Sequence, residues 1–147
     1  QSGSCQGGDN HRGSVFRKAV GEALINRGGF AEEFTHWGIG SSAGRERGLE
    51  ELDLERRVNE YIRKLPFLWV DVVDEPGPDS DRAYIERNAI ALVSNYEKPS
   101  LDPRNENWLG KLSPSEKIRH SGLWNVNHVD ESYDPKFLSR FEEIASP

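Results

Sequence analysis

The chain has 147 residues, the size of one compact domain, of which 35% are hydrophobic and 30% charged. With 25 Asp and Glu against 19 Lys and Arg, the formal net charge is −6. This excludes indiscriminate nucleic-acid binding, which needs net phosphate neutralisation, but leaves room for a local basic groove or for acids around a metal. The single cysteine, Cys5, makes no internal disulfide, and no run approaches the roughly 20 apolar residues of a membrane span. No signal peptide is visible, so a soluble, cytoplasmic chain is expected. It starts at Gln1 and holds no Met, which reads as a piece of a longer protein.

Residues 1–13, "QSGSCQGGDNHRG", are polar and glycine-rich and are expected to be a flexible terminus. Residues 14–96 are read as the core and 97–147 as an extension, all within a single domain. Ser14 can cap a first helix, whose Val15, Phe16, Ala19, Val20, Ala23 and Leu24 recur at helical spacing until "RGG" at 27–29 ends it. A glycine-punctuated connection over 30–48 follows, pinned to the body by Phe30, Phe34, Trp37 and Ile39. The stripe Leu54, Val58, Tyr61, Ile62 and Leu65 predicts a second helix over about 49–64, stopped by Pro66.

"FLWVDVV", 67–73, is the best strand in the sequence, a nearly continuous apolar run suited to burial on both faces. After the turn "DEPGPDS", Ser80 or Asp81 can cap a third helix from 82 to about 94. Residues 97–112 read as loop. "SPSE" at 113–116 has the form of a capping box for a short helix to about His120. "GLWNVNHV" reads as a short extended segment, and Asp134 and Pro135 open a last helix striped by Phe137, Leu138, Phe141 and Ile144. The expected fold is α/β (α+β): a small, mostly antiparallel sheet flanked by helices, with a C-terminal loop-and-helix extension. A lone strand needs partners, which either hide in 30–40 and 123–129 or lie outside this chain.

The third helix poses a chemical question. At about 100° per residue, Ile85, Ala89, Leu92 and Val93 cluster on one side, and Glu86 falls between Val93 and Ile90, at the edge of that apolar arc. Either Arg82, one turn back, pairs with it or it reaches solvent with its stem packed, or the helix holds a rigid carboxylate ligand for a divalent metal.

"ERNAIA", 86–91, resembles the Glu-x-Asn-x-Ile-x segment on the third helix of GIY-YIG nuclease domains, and the order of helix, strand and Glu-bearing helix agrees with it. The chain is also similar to a set of bacterial proteins of unassigned role. The resemblance covers most of the chain, and its tie to nuclease chemistry lies in about residues 49–107. It implies a divergent metal-dependent endonuclease that hydrolyses DNA phosphodiesters, with Glu86 as catalytic ligand to one Mg²⁺ or Mn²⁺. It further implies a late site asparagine, Asn107 in "NENW" or its rival Asn95, and a phosphate-binding arginine, Arg56 or Arg57. The family's two defining strands are not recognisable. "WGIG" at 37–40 is a substitute for the second, and on the other register both belong to a missing N-terminal segment or a companion chain. This chain alone is then expected to hold only part of the active site.

Other candidates are weighed on their residues. "GGDNHRGS", 7–14, precedes a helix N-terminus, where His11 and Arg12 could contact phosphate. His36, His120 and His128 have no zinc spacing, and His128 with Asp130 and Glu131 is either a metal cluster or a capped turn. Trp69, Trp108 and Trp124 read as core and loop anchors. The alternative to the nuclease is a non-catalytic binding domain on the same scaffold, favoured by the acidic balance.

Overall fold

A computed structural model of the chain describes residues 11–40 and 44–146. Cys5 and the first residues of the 7–14 loop lie outside the described residues, as does most of the terminus expected to be flexible.

The described chain is built from helices. Helix α1, Val15–Gly28, starts where the Ser14 hydroxyl accepts the Arg17 N–H, and ends where Gly29, at φ 70°, turns its N–H back to Ile25 O. Two helices stand where one was expected: α2, Arg45–Glu50, and α3, Leu52–Arg63. Helix α4, Asp81–Val93, is capped by the Ser80 hydroxyl, which accepts the Ala83 N–H. Helix α5, Glu116–Ser121, takes Ser115 as its cap. Ser113 was the expected cap, but its hydroxyl instead accepts the Ser115 N–H at 3.2 Å. Helix α6, Phe137–Ala145, closes the chain, and 3-10 turns occupy His11–Gly13 and Leu109–Leu112.

The core forms where α1 crosses α3 and the Leu109–Leu112 turn. Val20, Ala23 and Leu24 meet Leu54, Val58 and Leu109, with Phe34 and Trp37 folded in from the connecting loop. A second, smaller packing joins α4 to α6 through the Tyr84 and Phe137 rings, 6.1 Å apart. Asn88 fixes it from below. Its Nδ2 donates to Tyr84 O and its Oδ1 accepts the Asp134 N–H, both under cover.

The expected antiparallel sheet is not formed, because no strand occurs among the described residues. Residues 67–73 take up no regular secondary structure, and no backbone–backbone hydrogen bond ties them to any described residue. Phe67, Leu68, Trp69 and Val73 are 85% or more exposed, so Trp69 is not a core anchor. The physical reason is pairing. A strand is stabilised by its neighbours' backbone groups, and both candidate partner segments commit theirs elsewhere. The 30–39 stretch coils into turns through Phe34 N–H to Phe30 O and Trp37 N–H to Phe34 O. Across 123–129 the chain bends, with the Leu123 N–H on Ser121 Oγ and Val129 O accepting from Ser94 Oγ. "WGIG" is therefore a turn rather than a strand.

Candidate functional site

Glu86 stands on α4, one turn after Arg82. The helix is fixed at its start by the Ser80 cap. At its far end the buried Ser94 hydroxyl donates to Val129 O, and the Asn95 N–H donates to Ser121 O. Arg82 turns away from Glu86. Its Nη2 donates to Val72 O at 3.1 Å and lies 3.7 Å from Asp74 Oδ1. Glu86 itself is exposed, and among the described residues it makes no hydrogen bond or ion pair. The apolar arc around it is only half covered, for Ile85, Ala89 and Ile90 are half-buried and Val93 is 36% exposed. The carboxylate thus meets water, which is why it costs little there without a partner.

His11 and Arg12 face inward. The His11 ring is 1% exposed and lies flat on Trp37, centroids 3.6 Å apart. Gly38 N–H donates to His11 Nε2, so the proton sits on Nδ1, which donates to Glu55 Oε1 at 2.7 Å. The same Glu55 oxygen accepts the His11 backbone N–H, and Arg17 Nη2 donates to Oε2 at 2.9 Å. Burial pushes the Glu55 carboxyl up, but the hydrogen bonds from His11 and Arg17 outweigh this and hold it below the usual range. Arg12 forks onto Glu51 with both Nη atoms, at 2.7 and 2.8 Å, and donates to Ile39 O and His36 O. The expected phosphate contacts are, in geometry, a clamp that ties the 36–39 loop to α3.

The remaining candidates are scattered over the surface. Arg56 is exposed on α3, and Arg57 pairs with Asp53 and lies over the Phe30 ring. Asn107 is exposed, its N–H donating to Asn105 Oδ1. Asn95 instead lines a cleft of roughly 420 Å³ with Lys98, Arg104, Glu106 and Lys111, just past the end of α4. His128 Nδ1 lies 2.8 Å from Glu131 Oε1, and Glu131 is also held by Arg87, a closed turn. No group of three or more His, Cys, Asp or Glu that could hold a metal occurs among the described residues.

Sequence reasoning missed the buried acids Glu51 and Glu55 and the basic cleft. A signal for the acids was present, since 51, 55, 58 and 62 share one face of a helix with the apolar stripe. The cleft had no such signal, because its cations, Lys98, Arg104 and Lys111, share no helical or strand spacing.

Searches of curated proteins and of solved structures return no match. No helix among the described residues is long and apolar enough to cross a membrane. The sequence profile described as the GIY-YIG domain matches residues 1–146, nearly the whole length. The chain belongs to the GIY-YIG domain family.

Proposed function

We propose that this nuclease-type domain hydrolyses DNA phosphodiesters with one Mg²⁺ or Mn²⁺ held at Glu86. The observation that supports it is the state of that carboxylate: exposed, without a partner among the described residues, on a helix fixed at both ends. Arg82, one turn back, is engaged by Val72 O and Asp74 and leaves the carboxylate open. A single hard oxygen donor open to solvent fits a hydrated Mg²⁺ or Mn²⁺, which keeps several waters and takes substrate phosphate oxygens as further ligands.

When bound, such an ion supplies charge neutralisation at the transferring phosphate and its leaving oxygen. The chain's own part is positioning. Glu86 presents its oxygens from a helix whose cap and end contacts remove the freedom a loop would keep. Arg56, exposed on α3 without an ion pair among the described residues, is the guanidinium proposed to meet a phosphate of the strand.

The test is metal-dependent cleavage of supercoiled plasmid by the protein in its natural full length. Glu86→Gln keeps the shape and removes the charge. It is expected to lower the rate by roughly 100-fold or more while leaving the helical circular dichroism unchanged. Full activity in that variant would remove Glu86 from the chemistry.

A further inference from the structure

Residues 67–73 present apolar side chains and unpaired backbone together. Phe67, Leu68, Trp69 and Val73 are 85% or more exposed, and among the described residues no backbone–backbone hydrogen bond reaches the run. The two aromatic rings alone carry roughly 300–500 Å², as much apolar surface as the largest patch of a typical monomer. Pro66 and Pro76 bracket the run, so a strand formed here is bounded at both ends. One of its edges is already turned inward, for Arg82 Nη2 donates to Val72 O from α4. In a strand the backbone groups of alternate residues point to the same edge. With Val72 facing α4, the N–H and C=O groups of Phe67, Trp69, Asp71 and Val73 form the open edge. Charge then selects the occupant and its direction. Arg63 and Lys64 stand just before the run, and Asp74 and Glu75 just after it. Arg63, Lys64 and Glu75 are exposed and make no ion pair among the described residues. A second copy laid antiparallel sets the basic end of each run against the acidic end of the other, whereas a parallel copy sets like charges together.

We propose that the chain forms a homodimer in which residues 67–73 of two copies order as strands and pair antiparallel about Val70. Trp69 then exchanges backbone hydrogen bonds with Asp71 of the other copy, and Phe67 with Val73, a register that uses the open edge alone. Phe67, Trp69 and Val73 of both copies share one face of the ribbon. Lys64 of each copy comes beside Glu75 of the other.

The experiment is sedimentation velocity of the full chain from about 1 to 100 µM, a range suited to a small interface. It is run at physiological salt, where repulsion between copies of net charge −6 is screened beyond about 8 Å. The chain is expected to pass from one copy to two as concentration rises. Trp69→Ser, at a side chain that is 90% exposed, is expected to abolish this with the helical circular dichroism unchanged. Lys64→Glu and Glu75→Lys, each alone, are expected to weaken the dimer about 10-fold. An equimolar mixture of the two is expected to restore it, since both end pairs of the mixed dimer are again opposite in charge. Should Lys64→Glu fail to fold, Arg63→Glu takes its place in the mixture. A monomer at every concentration would overturn the proposal. A dimer that survives Trp69→Ser would do so by placing the interface elsewhere. Charge variants that associate no better mixed than alone would remove the antiparallel second copy.

Discussion

A methyl group added at Gly21 would stand 2.2 Å from Trp37 Cζ2, in the middle of the core. The indole cannot yield, because it is stacked on His11 and its Nε1 donates to Lys18 O at 3.0 Å. In an open helix Gly→Ala gains about 1 kcal/mol, but here overpacking is expected to reverse the sign. Gly21→Ala is expected to cost about 1–3 kcal/mol by urea unfolding, and an unchanged or raised midpoint would show that the indole moves freely. Sequence reasoning placed Trp37 and Phe34 correctly against the body, as large aromatics beside turns. The flat His11 stack escaped it, since nothing local to "DNHRGS" announces Trp37 as a neighbour.

At the scale of elements, the helices α1 and α4 were legible because their signals are local. A serine hydroxyl at each N-terminus and a glycine after α1 set the ends that the backbone then uses. Helix α3 was legible only on its apolar side. Glu51 and Glu55 lie on the same face, and they are buried because His11, Arg12 and Arg17 arrive from α1 and the turn before it. Those contacts span about forty residues, and periodicity carries no information about them. Their consequence is a pH dependence. Glu55 titrates below the usual carboxylate range in the folded chain, so its contribution is complete above about pH 4.3 and fades as pH falls through the folded value. Glu55→Gln is expected to lower stability at neutral pH by about 1.5–3 kcal/mol and to flatten the acid limb of the stability profile. An acid limb identical to that of the wild type would place the titrating group elsewhere.

Over the whole molecule, the largest gap between sequence and structure is the sheet. The run at 67–73 has the composition of a buried strand, yet pairing depends on segments far away in sequence that fold as turns here. The helical framework it leaves still brings Glu86 to the surface on a fixed helix. That helix ends beside the cleft lined by Asn95, Lys98, Arg104, Glu106 and Lys111. The sequence could name Glu86 from its place in an apolar arc. Whether Arg82 closed over it was a question of tertiary contact, and Val72 O and Asp74 decide it. The most direct test is a calorimetric Mn²⁺ titration of the chain, wild type beside Glu86→Gln. Saturable binding in the wild type that is lost in the variant is the expected result. Equal binding in both, or none in either, would contradict a metal held by Glu86.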